Sequence, residues 1–154
     1  MERYHRLGVV GKGSSGSVFL VEDVETGAQY VHKLIDLADF DDKAVAAART
    51  EAATLARLDH PNVIQFVEAI ESEGKMNIVM EHAGGGDVSL MLKSRNTILL
   101  SEDEVMAVFI PVALALEYVH GHKILHRDLK AQNVFITLSG EIKLGDFGVA
   151  KPLA

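Results

Sequence analysis

The first 80 residues alternate between short apolar runs and glycine-rich or polar breaks, a pattern typical of β-strands joined by turns. The runs predict strands at residues 8–10, 18–21, 30–35, 64–70 and 76–80. Residues 42–58 interrupt this pattern with an alanine-rich segment that predicts a helix, with Asp41 and Asp42 favourably placed near its positive N-terminal end. The first half of the chain therefore predicts a sheet accompanied by one helix.

The pattern becomes mainly helical after the glycine run at residues 84–86, which predicts a boundary between two subdomains. Ser101 and Glu104 have the spacing of a capping box, and the helix that they open is expected to continue to about Tyr118. Its apolar positions recur at helical spacing. Two short strands are predicted beyond it, at residues 134–137 and 142–144.

The composition fits one ordinary domain, with 154 residues, of which 48% are apolar and 24% charged. A net charge of −7 without a basic run argues against nucleic-acid binding. The chain has no cysteine and no apolar signal segment at its start. Glu117 and His120 interrupt the longest apolar run, so we expect no membrane span and a cytoplasmic location.

A glycine-rich turn is predicted between the first two strands, where Gly11, Gly13, Gly16 and Val18 follow the pattern G-x-G-x-x-G-x-V. Without side chains, the backbone N–H groups of such a turn can approach anionic phosphates. A flexible hairpin tip is the plainer interpretation of this motif taken alone. The strand that follows it argues against a dinucleotide-binding turn, which would lead into a helix.

The more specific motif is the run His-Arg-Asp-Leu-Lys-Ala-Gln-Asn at residues 126–133, which is followed by Asp146-Phe147-Gly148. Carboxylates, an amide and a lysine in this order are the groups that phosphoryl transfer requires. We interpret His126, at the start of the run, as a buried structural residue.

On these motifs the chain resembles the protein kinases, and the family template supplies the role of each position. The lysine at position 130 resembles the serine/threonine kinases. The chain looks most like their NIMA-related branch at residues 85–87, at Phe135 and at residues 145–151. The resemblance implies an α+β fold in which a five-stranded antiparallel N-lobe sheet with one helix precedes an incomplete, mainly helical C-lobe. The implied bounds are about 1–81 for the N-lobe, 81–86 for the hinge and 87–154 for the C-lobe.

The resemblance also implies transfer of a phosphoryl group from ATP to serine or threonine of protein substrates. Asp128 would accept the proton of the substrate hydroxyl, and Lys130 would offset charge on the moving group. Lys33 would be held over the phosphates by Glu51, although a solvated charge is the usual interpretation of either residue alone. Asn133 and Asp146 would hold Mg²⁺.

The nucleotide site implied by the resemblance includes the glycine turn, apolar residues that would enclose the adenine and backbone groups of the hinge. Val18 and Val31 would also be ordinary core residues without a nucleotide. The expected ATP-binding positions are Gly11, Lys12, Gly13, Gly16, Val18, Val31, Lys33, Met80, Glu81, Ala83, Asp87 and Phe135.

The chain ends six residues after Gly148, before the remaining C-lobe helices of the family. We therefore expect the apolar face of the helix at residues 101–118 to be exposed, with a protein partner covering it, and little protein phosphorylation by these 154 residues alone. Two alternatives stay open: a non-catalytic nucleotide-binding regulator of another kinase, and an inactive gene fragment.

Overall fold

The computed structural model describes residues 3–13, 16–38, 40–145, 147 and 151–152. The chain divides into two compact units. The sheet unit contains Met1–Arg57 and Gln65–His82, and the helical unit contains Leu58–Ile64 and Ala83–Ala154.

The sheet unit contains one five-stranded antiparallel sheet with the strand order β1-β2-β3-β5-β4. Its strands are β1 (Tyr4–Gly13), β2 (Gly16–Asp23), β3 (Gln29–Asp36), β4 (Phe66–Ser72) and β5 (Lys75–Glu81). Strand β5, which lies between β3 and β4, is the most buried, with Ile78 and Val79 fully enclosed. The predicted five-stranded sheet is confirmed.

The helix of the sheet unit, α1, spans Asp42–Leu55. Its start is fixed by Asp41, whose carboxylate accepts a hydrogen bond of 2.8 Å from the N–H of Ala44. The prediction that this helix extends to residue 58 is wrong by three residues. The N–H of Arg57 donates to the carbonyl three residues before it, which is the tightened turn that commonly ends a helix.

The helical unit consists of helices and short two-stranded pairs. Its helices are α2 (Val88–Ser94) and α3 (Glu102–Gly121), and its strands are β6 (Ile124–Leu125), β7 (Val134–Ile136), β8 (Ile142–Leu144) and β9 (Lys151–Pro152). Strand β6 pairs with β9 and β7 with β8, both antiparallel. The sequence did not predict α2, whose seven residues are too few to show a helical period.

Helix α3 begins with the capping box that the sequence predicts. The hydroxyl of Ser101 accepts from the N–H of Glu104 at 3.2 Å, and the Glu104 carboxylate accepts from the N–H of Ser101 at 2.7 Å. Arg95 donates two further bonds to the same carboxylate. These contacts tie the start of α3 to the segment that follows α2.

The apolar face of α3 is exposed, as the sequence predicts: Val105, Met106, Phe109, Ile110 and Leu114 all lie open on this unit. A groove of about 310 Å³ runs beside them. Among the described residues, α3 alone is long and apolar enough to cross a membrane, although core helices of soluble proteins also meet this criterion. Glu117 and His120, on which the expectation of no membrane span rests, both lie within α3, and that expectation stays a prediction.

Candidate functional site

The glycine turn contains one glycine that the fold itself requires. A Cβ at Gly16 would lie 2.1 Å from the carbonyl oxygen of Leu34, and the φ of Gly16 is +147°. Gly11 has no such neighbour within 4 Å, so packing does not explain its missing side chain. Gly13 pairs with Gly16 across β1 and β2. Residues 14–15 and the side chain of Lys12 lie outside the described part of the chain.

Lys33 and Glu51 form the predicted ion pair. Lys33 lies on β3 and Glu51 on α1, and the Nζ to Oε1 distance is 2.7 Å. The two side chains are only 11% and 9% exposed. Because a buried charge without a partner is costly, each group fixes the position of the other. The contact is confirmed, and its role with phosphates stays a prediction.

The residues expected to enclose the adenine share a face of the sheet with Lys33. Val18 lies opposite Lys33 across β2 and β3, and Val31 lies opposite Met80 across β3 and β5. Directly opposed residues of antiparallel strands project to the same side, as do residues two apart along one strand. Val18, Val31, Lys33 and Met80 therefore form one half-buried patch within the sheet unit.

The predicted hinge residues are divided between the two units. Glu81 is the last residue of β5, where its N–H donates to the carbonyl of Gln65 at 2.8 Å. Ala83 is the second residue after it and belongs to the helical unit.

Asp87 and Phe135 are brought together by an antiparallel bridge. Bonds of 2.8 and 2.9 Å join the adjacent glycines to Ile136. A Cβ on Gly85 would lie 2.7 Å from the Ile136 carbonyl oxygen, so this close approach requires glycine. The carboxylate of Asp87 accepts from the N–H of Leu90 and caps α2, a structural role that the sequence reasoning missed.

His126 is a buried structural residue, as predicted, with 3% of its surface exposed. Its Nδ1 accepts a bond of 3.2 Å from the N–H of Asp128, so Nε2 carries the proton and donates to the carbonyl of Gly145 at 2.8 Å. The ring of Phe147 packs edge-on against it, with 4.7 Å between ring centres. Arg127, which lies between His126 and Asp128 in the chain, has a left-handed φ of 64°. Together these contacts hold the loop that carries Asp128.

Asp128, Asn133 and Lys130 form one polar cluster. The Nδ2 group of Asn133 donates to the backbone carbonyl of Asp128 at 2.8 Å and to its carboxylate oxygen Oδ2 at 3.0 Å. The Nζ of Lys130 lies 3.2 Å from the same carboxylate oxygen. Asn133 is buried, whereas Asp128 is half-buried and Lys130 is exposed. The buried amide of Asn133 therefore holds Asp128 from the protein side, and the carboxylate stays partly open to solvent.

The charge of Asp128 is stabilised by its neighbours. The bond with Lys130 lowers the pKa of the carboxyl below its usual value, and the bond from Asn133 acts in the same direction while desolvation opposes both. Asp128 is therefore ionised at neutral pH. An ionised, oriented carboxylate can accept a hydrogen bond from an approaching hydroxyl group.

Of the two residues predicted to bind metal, only Asn133 lies in the described part of the chain; Asp146 lies outside it. The amide nitrogen of Asn133 donates to two oxygens of Asp128, so the carbonyl oxygen of the side chain is the atom suited to a cation. Oxygen atoms are the ligands that Mg²⁺ prefers, so Oδ1 of Asn133 suits that ion, and metal binding by Asn133 and Asp146 stays a prediction. The described residues contain no cluster of three or more His, Cys, Asp or Glu with metal-site geometry.

A buried polar pair on the other face of the sheet was missed by the sequence reasoning. His32 is 2% exposed, and its Nε2 lies 3.0 Å from Oδ1 of Asn77, whose amide nitrogen donates to the carbonyl of Ile70. Burial lowers the pKa of His32, the bond to Asn77 opposes this, and the charge of Arg6 lowers it further. His32 is therefore a neutral hydrogen-bond donor. A histidine within an apolar strand was the available signal, but its partner is 45 residues away.

Comparison with known proteins identifies this architecture. The family model "Protein kinase domain" matches residues 4–154. The chain is 42% identical over 153 residues to serine/threonine-protein kinase Nek1 of Mus musculus, covering 99% of this chain and 13% of Nek1. The Nek4 kinase of the same species is 43% identical over 151 residues, covering 97% of this chain and 19% of Nek4. The Nek3 kinase of Mus musculus is 39% identical over 154 residues, covering 100% of this chain and 30% of Nek3.

The chain thus spans 13% to 30% of the length of these three relatives. The resemblance to the NIMA-related kinases is confirmed by these matches.

Proposed function

Because this chain belongs to the protein kinase domain family, we propose that it binds ATP with Mg²⁺ and directs phosphoryl transfer to serine or threonine of protein substrates. Proteins of this family generally use ATP and Mg²⁺. The observation that carries the proposal is the cluster in which Asn133 and Lys130 hold the ionised carboxylate of Asp128. A cytoplasmic location belongs to the same proposal and fits the cysteine-free composition.

Each charged group has a distinct part in the proposed reaction. Lys33, anchored by Glu51, binds phosphate oxygens of the nucleotide. Asn133 and Asp146 supply oxygen ligands to the cation, which neutralises phosphate charge when bound. Asp128 orients the substrate hydroxyl and accepts its proton. Lys130 balances the negative charge that accumulates beside Asp128 during transfer.

The first experiment measures transfer of the radiolabelled γ-phosphate of ATP to a mixture of serine, threonine and tyrosine peptides. Two proteins are compared: the 154-residue chain, and a chimera in which the segment of mouse Nek4 that follows the matched region continues after Ala154. In each, Asp128→Asn is the test variant. Asp103→Asn, on the exposed first turn of α3, makes the same chemical change away from the cluster.

We expect label on serine or threonine peptides, unchanged in Asp103→Asn and about 10²- to 10⁴-fold lower in Asp128→Asn, the range for loss of an acid–base group. Transfer by the chimera alone would show that peptide positioning needs further sequence. Equal transfer by both variants would contradict the role of Asp128. ATP binding without transfer in either protein would instead support the nucleotide-binding regulator.

A further inference from the structure

A second ion pair holds α1, on the side away from Lys33. The guanidinium of Arg49 donates two bonds to the carboxylate of Glu71 on β4, from Nε at 2.9 Å and from Nη2 at 2.7 Å. This two-bond fork is the strong, directional form of an arginine–carboxylate contact. It holds the pKa of Glu71 below its usual value. The pair is more exposed than Lys33–Glu51.

The two pairs lie on either side of the strand that α1 covers. Helix α1 lies against β5, and β5 lies between β3 and β4 in the sheet. Lys33 of β3 is directly opposite Ile78 of β5, and Glu71 of β4 is directly opposite Met76. Ile78 and Met76 are two residues apart, so both pairs lie on the same face of the sheet, offset by about 7 Å along β5.

On α1 itself, the partners point in nearly opposite directions. Arg49 and Glu51 are two residues apart, which places them about 200° from each other around the helix axis. A rotation of the helix about its axis would therefore stretch one pair or both. The side chains that α1 buries are mostly small, with Ala48 and Ala52 at the centre. Alanine has too few atoms to interdigitate with a sheet, so packing alone resists such a rotation weakly.

We propose that Arg49 and Glu71 are positioning residues, whose pair fixes the rotation of α1 and thereby keeps Glu51 against Lys33. The contact between Glu51 and Lys33 rests on the structure, and its consequence for catalysis rests on the proposed function. Loss of the clamp formed by Arg49 and Glu71 frees Glu51 to leave Lys33. Lys33 then becomes more accessible, and nucleotide phosphates lose a fixed cation.

The test measures the rate at which an amine-reactive acylating reagent modifies Lys33, read by mass spectrometry on the 154-residue chain. Lys75, exposed on β5, is the internal reference for reagent and pH. Arg49→Glu and Glu71→Arg each break the clamp, and the double exchange restores a pair with reversed polarity. Arg57→Glu, exposed just beyond α1, is the control with the same charge change. Glu51→Gln gives the rate for a Lys33 without its partner.

We expect Glu51→Gln to raise the Lys33 rate relative to Lys75 by about tenfold or more. Each single clamp variant should raise it about two- to fivefold, the range that an exposed ion pair supports. The double exchange should return it toward wild type, and Arg57→Glu should leave it unchanged. Circular dichroism confirms that each variant is folded, and Glu71→Gln replaces any variant that is not.

An unchanged Lys33 rate in the folded clamp variants would overturn the proposal, as would an unchanged rate in Glu51→Gln. A rise of the same size in Arg57→Glu would also overturn it, because the effect would then be one of net charge. These outcomes do not depend on ATP. Failure of nucleotide binding would therefore contradict the proposed function and leave the clamp itself intact.

Discussion

The Lys33–Glu51 pair and the Asp128 cluster are built in different ways. Lys33 and Glu51 form a single, nearly buried pair between a strand and a helix, where each charge has one partner. The Asp128 cluster lies on a loop, where one carboxylate is held by a buried amide and an exposed lysine. The first arrangement fixes a cation by enclosing it. The second fixes an anion from one side and leaves it open to react.

Because of this difference, the two regions should respond differently to substitutions. The buried pair depends on the position of a whole helix, so changes far from Lys33 are expected to reach it. The loop cluster depends mainly on hydrogen bonds among residues 126–133, so its response should be confined to neighbours of Asp128.

Apart from the loss of Asp128 itself, Asn133→Ala is expected to have the largest effect. It removes the two bonds that Asn133 donates to Asp128 and also the oxygen proposed to bind Mg²⁺, so transfer in the chimera with Nek4 should fall about 100-fold. Gln132→Ala removes an exposed amide from the same loop and should have little effect. Radiolabel transfer at saturating ATP measures both. Similar losses in the two variants would show that the loop as a whole, and not Asn133, matters.

Glu51→Gln should lower the affinity for ATP about tenfold, since a charge-assisted bond that fixes Lys33 is lost. Calorimetric titration measures this change. Glu25→Gln makes the same substitution in an exposed turn of the sheet unit and serves as the control. An affinity unchanged by Glu51→Gln would mean that Lys33 needs no anchor.

Lys130→Met should raise the pKa of Asp128, because the bond with Lys130 is the largest cause that lowers it. The folded-state pKa is below the ordinary value of 3.8, so this contact stabilises the fold above that pH and the contribution is lost as pH falls through the folded pKa. An NMR titration of the Asp128 carboxyl carbon measures the shift. Lys93→Met, on α2, should leave the titration unchanged.

The smallest expected effect is a pH dependence confined to the sheet unit. Burial lowers the folded-state pKa of His32 below 6.5, so folding favours its neutral form. The titration of His32 therefore costs no stability above pH 6.5, and the free energy of unfolding decreases as the pH falls below that value. Amide exchange in β3 at pH 7.5 and 5.5 should show faster opening at the lower pH.

His32→Gln is the matched variant for this experiment, because glutamine can donate to Asn77 but does not titrate. It should reduce the difference between the two pH values in β3. The same difference in wild type and variant would assign the acid sensitivity to another group.

The sequence predicted features that depend on near neighbours or on a long motif. The capping box of Ser101 and Glu104 needs two residues three apart, and both of its bonds form. The pairing of Lys33 with Glu51 followed from family resemblance, although spacing alone would not have paired them. The roles assigned to the nucleotide and metal positions stay predictions.

Features that depend on distant partners could not be predicted. Nothing near His32 indicates Asn77, which sheet register brings to it, and nothing near Arg49 indicates Glu71, which the packing of α1 on the sheet brings to it. The end of α1 was misplaced because Leu58 continues the apolar pattern after the backbone has already tightened at Arg57. Boundaries of this kind are set by local hydrogen bonds that composition does not record.

The most direct test of the account is a calorimetric titration of the 154-residue chain with ATP, with and without Mg²⁺. We predict binding that is tighter with Mg²⁺. Lys33→Met should weaken it under both conditions, whereas Asp146→Ala should remove only the gain from Mg²⁺. Lys75→Met and Asp59→Ala, at exposed positions, are the matched controls. Absence of binding, or binding that neither Lys33→Met nor Asp146→Ala changes, would contradict the claim that these charged residues act on one nucleotide.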